Sequence, residues 1–228
     1  MSYQHDAQLA NIVTSYCTCF GGILPITLTI LTKRQPARWV FAYLCVLITG
    51  VFTVWLHANE GNRLASFFDV GSNILLAWAL QVAVSGDFLK GRARSVLIGA
   101  SSLLNLAVLV WLAYEVTAPQ KVPLIRFGDF GQFYTGEVAL IVNCWIVAGL
   151  FFVNLGKIPS VARPLLYLVF SIFFAGMLLA TASNRQISFG IFPWHAVWHI
   201  FGMLGFFAMW VFNEVRFDEK NAFSASPS

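Results

Sequence analysis

Seven stretches of this chain, at approximately 8–32, 38–58, 64–86, 95–117, 134–156, 162–183 and 189–214, are predominantly apolar. Each reaches the roughly 20 residues that a helix needs to cross the hydrocarbon core of a bilayer. Nothing constrains the fold more, because a backbone in lipid must satisfy its own N–H and C=O groups, as a helix does. Composition agrees: 58% of the residues are hydrophobic and 11% charged, against about 25% charged in a soluble domain. The expected fold is an all-α membrane protein, a seven-transmembrane-helix bundle. The connections are short except 118–133, so residues 1–220 read as a single domain and 221–228 as a disordered C-terminal tail. There is no internal repeat. The first stretch lacks a basic leader and a small-residue cleavage site, so it reads as a retained span.

Charge sets the expected orientation. Lys33, Arg34, Arg38, Lys90, Arg92, Arg94, Lys157, Arg163, Arg216 and Lys220 fall at one end of the bundle, and Arg63, Lys121, Arg126 and Arg185 at the other. Ten basic residues against four place the N-terminus outside, in a lumen, periplasm or exterior, and the C-terminus in the cytosol. The localisation expected is multi-pass, in an endoplasmic reticulum, Golgi or bacterial inner membrane. The net charge of +4 follows from this bias. It implies no nucleic-acid partner, since no basic face of a soluble domain carries it.

Several features read as packing. Cys17, Cys19, Cys45 and Cys144 lie in apolar spans without C-x-x-C spacing and behave as small hydrophobes. Gly21, Gly22 and Pro25 suggest a kink in span 1. Ser171, Gly176 and Thr181 in span 6, and Gly202 and Gly205 in span 7, suit close helix contacts. The connection at 118–133, with Pro119, Pro123, Gly128 and Gly131, reads as a lid or an irregular link.

The chemistry concentrates in Pro193-Trp194-His195-Ala196-Val197-Trp198-His199. Residues four apart on a helix lie about 40° apart around the axis and roughly 6 Å apart along it, so both imidazoles share a face. With the orientation above, His57 ends span 2 and Asp69 opens span 3 at the same depth as this pair. Taken alone, His57 reads as an interfacial ring, and Asp69 as a carboxylate at the positive end of a helix dipole. Together His57, Glu60, Asp69, Glu115, Glu137, His195 and His199 occupy the outer third of the bundle, while the cytosolic halves hold almost no ionisable group. That pattern points to a polar chamber opening outward. His57, His195 and His199 supply the three histidines of a catalytic zinc site with an open fourth position. Zinc lowers the pKa of bound water to about 7. Asp69 is placed to move the water's proton. Thr53, one turn before His57, is placed to hydrogen-bond an oxyanion or the water. His5, in the N-terminal tail, has no assigned role.

A hydroxyl residue (Thr53), His four later (His57), Asp at the start of span 3 (Asp69) and H-x-x-x-H in span 7 (His195, His199) resemble the CREST superfamily. That superfamily includes the alkaline ceramidases and the adiponectin and progestin receptors. The resemblance implies a zinc-dependent membrane amidohydrolase, with His57, His195 and His199 as metal ligands and Asp69 beside the water. The outside N-terminus resembles the alkaline ceramidase branch. Thr53 stands where the family usually has Ser, and the acidic N-terminal motif with Trp and Cys is absent. No calcium site is carried over, and the implied substrate widens to a ceramide-like N-acyl lipid drawn from the bilayer.

The same residues bear on other classes of seven-span protein. A retinal protein needs a mid-membrane lysine in span 7, and the flanking Lys157 and Lys220 are both cytosolic. A haem carrier uses two facing histidines and leaves the third unexplained. A transporter has an outer vestibule but usually shows repeats or interrupted helices. A non-hydrolytic receptor or scaffold with a structural zinc remains the alternative to the hydrolase.

Overall fold

The structure, a computed structural model, describes residues 2–118, 123–126, 132–183, 188–189 and 192–224. Pro119, Lys121, Gly128, Gly131 and Arg185, the side chains of His5 and Thr181, and residues 225–228 lie outside these. Seven helices run in order: α1 (Ser2–Thr32), α2 (Ala37–Ala58), α3 (Arg63–Phe88), α4 (Gly91–Thr117), α5 (Thr135–Val153), α6 (Arg163–Ser183) and α7 (Trp194–Ser224). All seven are long and apolar enough to cross a membrane, the arrangement of a multi-pass membrane protein. Two-residue ladders precede α5 and α7. The first pairs β1 (Ile125–Arg126) with β2 (Gln132–Phe133), and the second pairs β3 (Ser188–Phe189) with β4 (Phe192–Pro193), both antiparallel.

Pro193 therefore stands before α7 in β4 and not inside a span that begins at 189. Proline lacks the N–H a helix interior uses but is tolerated at a helix entrance. The other end of α7 runs past 214 to Ser224, so residues 221–224 of the expected tail continue its backbone.

α1 packs on both α2 and α7, α2 on α3, α6 on α7, and α4 and α5 on α3. Glycine lets α1 and α2 approach. A Cβ on Gly22 would stand 2.5 Å from the backbone N of Leu47, and one on Gly50 2.5 Å from the backbone N of Cys19. Gly22 thus serves helix contact within a continuous α1 that includes Pro25. Gly205 similarly admits the ring of Phe173 from α6, whereas Gly202 has open space.

The half of the bundle away from the histidines, expected to hold almost no ionisable group, contains a buried charged network. Asp87, at the end of α3, and Arg216, near the end of the apolar part of α7, both have side chains 0% exposed and are joined at 2.7 Å. Arg38 of α2 also donates to Asp87, through Nε at 3.0 Å and through Nη2, and Trp39 Nε1 donates to it at 3.1 Å. Arg216 Nη2 donates to Asn213 Oδ1, Asn213 Nδ2 to Tyr43 Oη, Tyr43 Oη to Gln35 Oε1, and Gln35 Nε2 to Glu214 Oε1. The guanidinium also lies over the Phe217 and Phe212 rings, 4.4 and 5.0 Å from their centres. These charges look like loop residues in sequence because they flank apolar runs. Pairing across helices is what lets them be buried.

Candidate metal centre

The turn between α2 and α3 fixes the depth of the site. Asn59 O accepts from Asn62 N at 3.0 Å, and Gly61 takes φ +80°, a conformation glycine adopts without steric cost. Asn62 then caps α3, its Oδ1 accepting from Leu64 N at 2.9 Å and Ala65 N at 3.1 Å. This tight reversal brings His57, in the last turn of α2, and Asp69, in the second turn of α3, to the same end of the bundle. His195 and His199 follow from the other side, in the first two turns of α7.

The three imidazoles converge. One ligand atom from each of His57, His195 and His199 lies within 4.8 Å of the others, forming a group that can hold a metal ion. Ring centres are 5.0 Å apart for His57 and His195, 5.3 Å for His57 and His199, and 4.8 Å for His195 and His199. Nε2 of His57 faces Nε2 of His195 at 3.1 Å. Two such nitrogens are either donor and acceptor to one another or two lone pairs directed at a shared cation. His199 is 4% exposed. No protein-family model matches the chain, and no curated protein matches it.

Asp69 is not a member of that three-histidine group. Its Oδ1 lies 2.6 Å from Thr53 Oγ1, which is buried one turn before His57 and also lies 2.9 Å from Thr49 O. The backbone carbonyl of Asp69 accepts from Ser72 Oγ and Asn73 Nδ2, both at 2.9 Å.

The remaining acids of the expected chamber are not members of the three-histidine group. Glu60 is exposed in the α2–α3 turn. Glu115 accepts from Trp111 Nε1 and Thr135 Oγ1, linking α4 to α5. Glu137 accepts from Tyr134 N at 2.9 Å and so closes the first turn of α5.

α1 brings residues that the sequence reading passed over. Gln8 Nε2 donates to the carbonyl of His57, one of the carbonyls left open at the end of α2. Thr14 Oγ1 and Ser15 Oγ, both buried, lie 3.0 and 3.4 Å from Nδ1 of His199. The signal was present: Gln8, Asn11 and Ser15 recur at i, i+3 and i+7, a polar stripe on one face of an apolar span.

Proposed function

We propose that this chain is a zinc-dependent hydrolase that cleaves the amide bond of a ceramide-like N-acyl lipid, with its histidine end facing the lumen, periplasm or exterior. The observation that carries the reading is the convergence of His57, His195 and His199. Tetrahedral zinc with Zn–N bonds of about 2.05 Å sets its nitrogens about 3.3 Å apart. The 3.1 Å between Nε2 of His57 and Nε2 of His195 is close to that edge. A neutral three-nitrogen donor set without a carboxylate suits zinc better than magnesium or calcium, which prefer oxygen. Three protein ligands also leave a fourth position open.

His57, His195 and His199 would hold the ion, which when bound supplies Lewis-acid polarisation and lowers the pKa of water. The chain's own groups account for the proton traffic. Water adds through oxygen to the amide carbonyl carbon, and the C–N bond breaks to give a fatty acid and an amine. Asp69 takes the water's proton at its carboxylate and delivers it to the departing nitrogen. Thr53 Oγ1 meets two acceptors already, so in this reading it anchors Asp69 and does not serve as an oxyanion donor. The acyl chain lies among apolar side chains, and the amide sits at headgroup level beside the histidines.

The test is zinc content and lipid hydrolysis of the purified chain. Stoichiometric zinc, lost in His195→Ala, is expected. Asp69→Asn should keep zinc while fatty-acid release falls about 10²- to 10⁴-fold. Trace zinc that His195→Ala leaves unchanged overturns the metal reading. Full zinc with no cleavage of N-acyl lipids by the wild type leaves the structural-zinc receptor or scaffold.

A further inference from the structure

None of the three clustered histidines comes from α1, yet α1 makes side-chain contacts with one of them, His199. Thr14 and Ser15 are adjacent on α1 and both hydroxyl oxygens face the same ring nitrogen, Nδ1 of His199. Each hydroxyl owns a single proton. Thr14 Oγ1 lies 2.8 Å from the carbonyl of Ala10, and Ser15 Oγ 2.6 Å from the carbonyl of Asn11, each one turn back on the helix. A carbonyl oxygen only accepts, so both hydroxyl protons are engaged by the backbone. In apolar surroundings this back-bonding is how a hydroxyl meets its donor requirement. What the two oxygens then offer His199 is lone pairs. The ring must supply the proton.

We infer that Thr14 and Ser15 are positioning residues that hold His199 in its Nδ1–H tautomer, leaving the Nε2 lone pair for the histidine cluster. The opposite tautomer would point a bare Nδ1 at two oxygens. One hydroxyl would have to leave its carbonyl to donate, while the other still presented a lone pair to the same nitrogen. At 4% exposure, water offers His199 little relief. The proton on Nε2 would meanwhile occupy the site where a metal must bind. Metal-bound histidines are generally oriented by an acceptor at the second ring nitrogen, and a carboxylate or carbonyl commonly fills that place. Here a pair of back-bonded hydroxyls from a neighbouring helix fills it. The same helix also holds the end of α2 that carries His57, where Gln8 Nε2 donates to the His57 backbone carbonyl. α1, which packs on both α2 and α7, thus aligns the two helices that carry the histidines.

The purpose assigned to this arrangement rests on the metal reading above, but the tautomer itself does not. The decisive measurement is therefore made first without metal. The full chain, labelled with ¹⁵N-histidine and kept metal-free at alkaline pH, is examined by two-bond proton–nitrogen correlation, with the His199 signals assigned by their absence in His199→Gln. A protonated Nδ1 and a bare Nε2 are expected. The pattern should shift toward Nε2–H in the Thr14→Val/Ser15→Ala double variant and stay in Thr14→Ser. Zinc affinity, read by competition with a chelator, should drop about 10- to 100-fold in the double variant and be kept in Thr14→Ser. An Nε2–H ring in the wild type overturns the inference, and so does wild-type affinity in a double variant that melts like the wild type. A wild type that binds no zinc but shows the Nδ1–H ring, shifted in the double variant, removes the metal reading and leaves the inference intact.

Discussion

Thr53 and Asp69 meet across the α2–α3 interface with 2.6 Å between Oγ1 and Oδ1, while the same hydroxyl lies 2.9 Å from the carbonyl of Thr49. A hydroxyl with one proton cannot donate to both. Both contacts are satisfied together when Asp69 carries a proton and donates it to Thr53 Oγ1, which then donates its own to Thr49 O. With Asp69 ionised, the Thr53 proton turns to the carboxylate instead. The pair can therefore accommodate either state of the carboxyl group by rotating one hydroxyl, without moving a helix. A group that takes and returns a proton gains from such a neighbour.

Replacing that hydroxyl should expose its role. Thr53→Val keeps the shape of the side chain but removes the contact that aims Asp69. Misplacing a reacting group by about 1 Å can cost about 10²-fold in rate. Thr53→Val is accordingly expected to keep zinc and lose on the order of 10²-fold in fatty-acid release, with Thr53→Ser close to wild type. Full activity in a folded Thr53→Val protein would remove Thr53 from the mechanism.

At the opposite end, Asp87 balances two cations. Its side chain is 0% exposed, and it pairs with Arg216, also 0% exposed, and with Arg38. Asp87→Ala leaves the Arg216 guanidinium buried with aromatic rings and Asn213 Oδ1 as its company. Removing one partner of a buried ion pair costs about 3–5 kcal/mol. A lowered melting temperature in detergent is expected, much larger than for Arg34→Ala, whose partners Glu214 and Asp218 are 3.9 and 3.5 Å away at a half-exposed side chain. Equal melting temperatures for the two variants would show that the Asp87 network does not hold the bundle together.

The spans were legible because lipid leaves the backbone one economical solution, and apolar length reveals it. His57 and Asp69 could be set at one depth because only a few residues separate α2 from α3. Spacing alone put His195 and His199 on one face. The polar stripe of Gln8, Asn11 and Ser15 marked a face of α1, but not its partner: a hydroxyl bonded to its own helix costs little in an apolar span, so nothing local tied Thr14 and Ser15 to His199. Asp87 and Arg216 were missed for another reason. They are 129 residues apart, each lies near the end of an apolar run, and no local pattern distinguishes a flanking charge from one folded inward. The boundary at Pro193 followed from the ladder of β3 and β4, which two residues per strand are too short to announce.

The proposed orientation makes a labelling prediction. Glu60 is exposed in the turn at the histidine end, and Arg92 is exposed at the start of α4 at the other. In sealed vesicles that present the lumenal, periplasmic or exterior face outward, Glu60→Cys should react with a membrane-impermeant maleimide and Arg92→Cys only after permeabilisation. The four native cysteines all lie in spans, so they should give little background. The reverse pattern would place the histidine end in the cytosol and end the positive-inside reading.

The approach of α1 to α2 links stability to the site. A Cβ on Gly50 would stand 2.5 Å from the Cys19 backbone N, 2.9 Å from its Cα and 2.7 Å from its Sγ. Two of these three atoms are backbone, so Gly50→Ala must push the helices apart. In a tolerant position the same change favours a helix by about 0.5–1 kcal/mol. Gly99, exposed on α4 with nothing within 4 Å of an added Cβ, is such a position and serves as the control. Gly50→Ala should lower the melting temperature, whereas Gly99→Ala should leave it unchanged or raise it. Because α1 also carries Gln8, Thr14 and Ser15 to the histidines, the displaced helix should weaken zinc affinity too, with the larger Gly50→Leu weakening it further. If Gly50→Ala melts and binds zinc as Gly99→Ala does, then close packing of α1 on α2 is not what holds the three histidines in register.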